Sequence, residues 1–365
     1  MSRVIAAARS GVRAAALASG LAVAMGLAGC SSLTEAGGFY WQAVSGHLDM
    51  MRRARPIDSV LADPMTDAAL RARLELSREM RAFATRELAL PDNGSFTTYA
   101  DLKRPYVLWN VFATDELSVK LRQWCFPIAG CIGYRGYYEL DAARRYAGEL
   151  RASGLDVQVG GVPAYSTLGW FDDPLLSTFI RFPEGEVARL IFHELAHQVV
   201  YVKGDTTFNE SFASAVEEVG MDRWFATRAD DEGRRRYQAH RERRAAFTAL
   251  LLDHKRQLET LYAQPIDDAA KRRGKQAVFE SLRAGYEQLK LQWNGFAGYD
   301  RWFDEPLTNA HLAAVGAYAD LLPAFRALLN ETGGQMPAFY SAVRELAALP
   351  PQSRQERMKV LSDRP

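Results

Sequence analysis

Apolar and polar residues alternate along this chain with two different periods, and the changes of period divide it into three stretches. From Pro64 to Leu88, Ala and Leu recur three and four residues apart among charged residues, the spacing of an amphipathic helix, and the shorter run Tyr40 to Met51 is amphipathic too. Between Pro105 and Arg181 the texture turns aromatic, β-branched and Gly-rich. Tyr106 to Thr114, Ile132 to Leu140 and Asp156 to Thr167 predict strands, and Asp141 to Ser153 predicts an intervening helix. After Glu186 the helical period returns over Leu190 to Val200, Asn209 to Thr227, Gly233 to Tyr262 and Pro265 to Trp293, with Gly204, Pro265 and Gly295 as punctuation. The expected fold is α+β: an N-terminal helical arm (about 30–100), a small mixed sheet, and a predominantly helical C-terminal part (about 187–350).

The first thirty residues stand outside that pattern. Arg3, Arg9 and Arg13 precede an apolar run from Ala14 to Gly29, which predicts a signal peptide over residues 1–29 rather than a spanning helix. The run ends Leu27-Ala28-Gly29-Cys30, which looks like a bacterial lipobox. Cys30 is then expected to carry the lipid that tethers a single domain, residues 30–365, to a membrane on the periplasmic side of the cell envelope. Ser31, where retention signals usually carry Asp, favours the outer membrane over the inner.

Composition narrows the classes further. Hydrophobic residues make up 48% of 365, enough for a packed core, which excludes disorder as the general description. Lys plus Arg number 45 against 44 for Asp plus Glu, so no overall field favours nucleic acid, and no nucleic-acid partner is expected. Arg234, Arg235, Arg236, Arg241, Arg243 and Arg244 around His240 read as a solvated helical face, with His254 further along the same segment. In an exported chain, Cys125 and Cys131 lie close enough to close a small loop, and a disulfide is expected. A metal or redox pair is the alternative, although the spacing is wider than the CxxC of either.

The chemistry concentrates at residues 189–197, Arg-Leu-Ile-Phe-His193-Glu194-Leu195-Ala196-His197. Residues four apart on a helix share a face, so His193 and His197 can turn both imidazoles toward one cation, while Glu194 is placed to serve as a general base. A catalytic zinc needs a third protein ligand and an open position, and Asn209-Glu210-Ser211-Phe212-Ala213 begins the next helix after a turn containing Gly204. HExxH on one helix and NExFA on the next resembles the gluzincin peptidases, above all the membrane-alanyl aminopeptidase group. That resemblance implies Glu210 as third zinc ligand and Glu217, seven residues on, as the carboxylate behind a zinc-bound His. Two departures stand out: only twelve residues separate His197 from Glu210, and no GxMEN motif precedes the HExxH to hold a substrate's free amine.

A closer resemblance runs over nearly all of the mature chain. Tyr40-Trp41-Gln42-Ala43-Val44-Ser45-Gly46-His47, the segments Trp124 to Tyr138 and Ala164 to Thr178, HELAHQ, NESFA and Asn309-Ala310-His311-Leu312 are similar to the predicted zinc aminopeptidase family of proteobacterial lipoproteins. This implies a zincin (gluzincin-like) fold, one Zn²⁺ per chain and a peptide substrate.

Several residues carry competing readings. Glu210 could instead complete a capping box begun by Thr207, with Asp205 as the substitute ligand. Glu217 could face solvent. Gly160 to Trp170 occupies the place where zincins pair an edge strand with an extended peptide, which makes Ala164, Tyr165 and Ser166 candidates for substrate binding; an ordinary covered strand is the alternative. Asp172 and Asp173 before Pro174 are explained by turn chemistry. His311 and Tyr318, seven apart, are candidate donors to an oxyanion. The function expected is a zinc peptidase of the cell envelope, and the alternative is a non-catalytic lipoprotein in which zinc is a structural staple for an assembly or binding role.

Overall fold

The apolar stripes of three helices decide where the core lies. The computed structural model describes residues 41–42, 44–126, 130–164, 167, 169–228, 230–315 and 321–363, and the chain divides into two units, 1–49 and 50–365. In the first unit, residues 41–42 and 44–49 are helical; all that follows concerns the second. Its elements run β1 (Ala54–Pro56), α1 (Ile57–Ala62), α2 (Ala68–Leu88), β2 (Thr98–Ala100), β3 (Leu108–Thr114), β4 (Trp124–Phe126), β5 (Gly130–Ile132), β6 (Arg135–Tyr137), α3 (Leu140–Ala152), β7 (Asp156–Val162) and β8 (Leu175–Leu176). The helical remainder is α4 (Glu184–His197), α5 (Thr206–Arg228), α6 (Asp231–Ala263), α7 (Asp268–Gln292), α8 (Asn309–Ala313), α9 (Leu322–Glu331), α10 (Met336–Ala348) and α11 (Pro351–Ser362).

Helices α2, α4 and α5 share the main core. Asp67 caps α2 by accepting the Leu70 N–H at 2.9 Å, so the helix starts four residues later than its charge pattern suggests, and Pro64 lies outside it. Leu74, Met80 and Phe83 of α2 are fully buried among Ile191 and Phe192 of α4 and Phe212 and Val216 of α5. The part of the expected helical arm that forms α2 is therefore built into the core. Phe83 packs at 5.7 Å from Phe192 and edge-on to Trp224 at 5.2 Å. Gly220 lets α5 approach this closely: a Cβ there would stand 2.7 Å from Phe192 and 2.9 Å from Leu88. The last three helices close the core from the C-terminal side, with Phe325 5.1 Å from Phe208 and Phe339 5.9 Å from Phe212.

The strands do not form the single small mixed sheet expected. They form a mixed sheet β1-β2-β8, an antiparallel sheet β6-β3-β7 and a hairpin β4-β5. The run Ile132 to Leu140 is broken between β5 and β6, and Leu140 already opens α3. Strand β7 stops at Val162 because Pro163 has no N–H to continue a ladder. The β6-β3-β7 sheet is backed by α3 over its own core of Trp109, Val111, Tyr137, Ala143 and Val157. A disulfide joins Cys125 and Cys131, which face each other across the β4-β5 hairpin. Helices α6 and α7 pack on each other through Phe247, Leu251, Leu258, Leu282 and Tyr286. No helix of the described residues is long and apolar enough to cross a membrane.

Candidate metal centre

Helix α4 begins after Pro183 with Glu184 and Glu186 in its first turn, the favourable end of the helix dipole for acids, and its last residues are the HExxH. Its apolar side is committed to the core through Val187, Ile191, Leu195 and Ala196, which turns His193, Glu194 and His197 away from that core together. The return to α5 is short and fixed at both ends. Gly204 takes φ +82°, the left-handed conformation that favours glycine. The Asn209 side chain grips the turn twice, accepting the Val202 N–H and donating to the Val202 carbonyl, each at 2.8 Å. Asp205 accepts the Phe208 N–H at 3.1 Å and pairs with Arg354 at 3.0 Å. Thus Asp205, and not Thr207, caps α5, and its carboxylate is occupied there rather than at a metal.

That turn delivers Glu210 to the histidines. His193 Nε2 lies 3.2 Å from Glu210 Oε2 and His197 Nε2 lies 3.7 Å from Glu210 Oε1. One ligand atom from each of the three residues lies within 4.8 Å of the others. A tetrahedral ion with bonds of about 2.1 Å separates its ligands by about 3.4 Å, so this donor set fits a single small cation. The two rings meet nearly at right angles, 4.9 Å between centroids.

Behind the histidines stands a second layer of charge. Glu217, buried, accepts from His193 Nδ1 at 3.2 Å, from Arg189 at 3.0 Å and from Arg244 at 3.2 Å. Arg189 also donates to Glu186 at 3.0 Å, and His240 approaches Glu186 at 3.4 Å. The arginine-rich face of α6 is thus not wholly solvated: Arg244 and His240 turn inward to these acids.

The electrostatics follow from these contacts. Burial opposes ionisation of Glu217, but Arg189 and His193 outweigh it and bring its pKa down to about 2. Burial likewise opposes a charged His193, yet its hydrogen bonds to Glu210 and Glu217 raise it to about 10, so without metal a proton sits where a cation would. His197 is pulled down to about 4 by burial and by the charge of His193. Glu194 is raised to about 7, chiefly by desolvation, with Glu210 and Asp173 adding to it.

The remaining sequence candidates are dispersed. His311 is buried in the capping box of α8, where its Nδ1 accepts the Thr308 N–H at 3.1 Å, and its ring stands edge-on to Trp302. Its neighbours Thr308 and Trp302 make it a helix cap. Ala164 lies past the end of β7, half-buried against the main core. Tyr165, Ser166, Tyr318 and Cys30 lie outside the described residues. Sequence reasoning missed Arg189, Arg244 and Glu186. Asp173, expected from turn chemistry, has a buried carboxylate that accepts the Thr167 N–H at 2.9 Å, and its charge also bears on Glu194. Sequence reasoning missed Tyr134 as well, a phenol raised by burial and by the charges of Tyr201 and Glu210.

No curated protein and no solved structure matches the chain. The family model described as "Putative aminopeptidase" matches residues 38–358, a span that takes in the HExxH, Glu210, Glu217 and the helices that close the core over them. With its histidines, acids and supporting arginines all inside that span, the chain belongs to this aminopeptidase family.

Proposed function

We propose that the chain is a zinc-dependent peptidase, an aminopeptidase that hydrolyses peptides in the cell envelope. The observation that carries this reading is the convergence of His193, His197 and Glu210 with Glu194 beside them. Two imidazoles and one carboxylate make a donor set that suits zinc and leaves a position for chemistry. When bound, zinc supplies the Lewis acid that polarises the scissile carbonyl. Glu194, its pKa near 7, takes a proton from the attacking water and returns it to the leaving amine. Glu217, fixed by Arg189 and Arg244, holds the His193 ring through Nδ1 so that Nε2 stays directed at the ligand position. The family description supports aminopeptidase specificity. The lipobox ending in Cys30 supports a lipid anchor on the periplasmic side, at the outer membrane, and the Cys125–Cys131 disulfide suits that oxidising compartment.

Metal analysis and a peptide library test this together on the purified chain. Expected are about one zinc per chain, cleavage from peptide N-termini, loss of cleavage with a chelator and its return with zinc. A chain full of zinc that cleaves no member of the library would reject the peptidase reading in favour of zinc as a structural staple.

A further inference from the structure

Most aromatic side chains of the second unit are at least partly covered, and the exceptions gather in one place. Among the described residues of that unit, four aromatic side chains are exposed, Tyr134, Trp170, Phe171 and Tyr201, at 39 to 85%. Exposed rings scattered singly over a surface need no explanation, but rings gathered round one site do. All four lie on segments that border the metal centre.

Two of them stand by the ligands. The Tyr201 ring, on the connection from α4 to α5, is edge-on to the His197 ring with 6.5 Å between centroids. Tyr134, between β5 and β6, packs on Phe112 at 5.8 Å, and the charges of Tyr201 and Glu210 both act on its phenol. The other two are carried by the turn before β8. Gly169 in that turn takes φ +81° and lies against the residue after His197: a Cβ there would stand 3.6 Å from the Gln198 side chain. Trp170 is the most exposed of the four, at 85%, yet its turn is held. The Trp170 N–H donates to the Thr167 carbonyl and the Phe171 N–H to the Thr167 hydroxyl, each at 3.1 Å, and the Thr167 N–H donates to Asp173 at 2.9 Å. Gln198 is fixed in turn, accepting from Asn93 at 2.7 Å and donating to the Ser95 hydroxyl at 3.1 Å. Rings kept in water on a tied backbone are ordered before a ligand arrives, which lowers the entropy lost on binding.

We propose that Tyr134, Trp170, Phe171 and Tyr201 form aromatic walls of the substrate cleft, and that the chain selects peptides with aromatic or large apolar side chains on the residues at the scissile bond. This specificity rests on the peptidase reading. A peptide whose carbonyl reaches the metal position lays its adjoining side chains beside His197 and Gln198, where these rings cover them. Aromatic walls take aromatic and aliphatic side chains by burial of apolar area, and aromatic ones also by edge-to-face contact.

Titration calorimetry on the zinc-loaded Glu194→Gln chain, in which bound peptide stays intact, tests the proposal with Phe-Phe-amide, Ala-Ala-amide and Lys-Lys-amide. Phe-Phe-amide is expected to bind more tightly than either of the others by about tenfold or more. Trp170→Ala and Tyr201→Ala, each added to that chain, should each weaken Phe-Phe-amide by about fivefold to tenfold and leave Ala-Ala-amide and zinc content unchanged. Both positions are exposed, so truncation there leaves the core intact. Equal binding of Phe-Phe-amide and Ala-Ala-amide, Lys-Lys-amide binding as tightly as Phe-Phe-amide, or a preference unchanged in both variants would overturn the proposal. So would a Trp170→Ala chain that loses binding to phosphatidylglycerol vesicles and keeps its peptide preference, which would assign the turn to a lipid surface. Equal kcat/KM of the wild-type chain on Phe-Phe-amide and Ala-Ala-amide would reject this specificity and keep the peptidase reading. A preference seen in binding and lost in the variants, in a chain that cleaves no peptide, would keep the aromatic peptide site and reject only catalysis at it.

Discussion

His193 in α4 and His254 in α6 are both sheltered imidazoles on long helices, with opposite surroundings. His254 has a backbone carbonyl, Leu250 O, 2.8 Å from Nδ1 and the Ser281 hydroxyl 3.3 Å from Nε2, both neutral partners. His311 is of the same kind, with a backbone N–H donating to its Nδ1. His193 has a carboxylate on each nitrogen, at 3.2 Å. Burial alone pushes an imidazole toward its neutral form, as it does for His311, lowered to about 4. Acids on both sides reverse that outcome and make a place for positive charge. Buried histidine is thus a poor sign of chemistry by itself, and the carboxylates facing it are the better one.

The contrast is broken most severely at the ligands. His193→Ala is expected to abolish zinc binding and cleavage together, whereas His254→Ala should keep the metal; elemental analysis of both variants checks this. Next in size is Glu194→Gln, which keeps the shape of the side chain but not its basicity. It should retain zinc and lose about 10² to 10⁴ in turnover, measured by steady-state hydrolysis. Glu217→Gln, which loosens the support of His193, should cost about 10 to 100-fold in zinc affinity by chelator competition. An unchanged affinity would reduce Glu217 to an ion-pair partner for Arg189 and Arg244.

Smaller effects belong to the caps. Because the His311 pKa is lowered from 6.5 to about 4 by folding, the unfolded chain binds more protons between those values. The stability that comes from keeping this ring neutral is present above pH 6.5 and is lost as pH falls toward 4, by roughly 3 kcal/mol at most. His311→Gln should flatten that part of a denaturation-against-pH profile while leaving zinc content unchanged. Asp205→Asn should be the mildest, since Asn also caps, costing about 1 kcal/mol or less through the Arg354 pair and no zinc.

Helical spacing made His193 and His197 legible in the sequence, with Glu194 between them, while Glu210 and Glu217 were legible through the resemblance of the NExFA helix to the gluzincin peptidases. What was not legible depends on how distant elements pack. Arg244 reaches Glu217 across 27 residues and Arg189 across 28, distances that no local pattern encodes. The sheet β1-β2-β8 is built from strands of two and three residues, too short to show a period. The seven-residue spacing of His311 and Tyr318 suggests a donor pair, while Thr308, three residues before His311, carries the signal of a capping box whose N3 member is an imidazole.

The grip of Asn209 on Val202 bears on how quickly a metal could leave. Two hydrogen bonds of 2.8 Å tie the first turn of α5 to the connection from α4 and hold the Glu210 backbone opposite the histidines, so only rotation of its side chain is left to move the carboxylate. Loss of that tether would add opening of the turn as a second route by which a held cation could leave. Asn209→Ala is accordingly expected to speed exchange with a chelator even where the metal content at rest is unchanged.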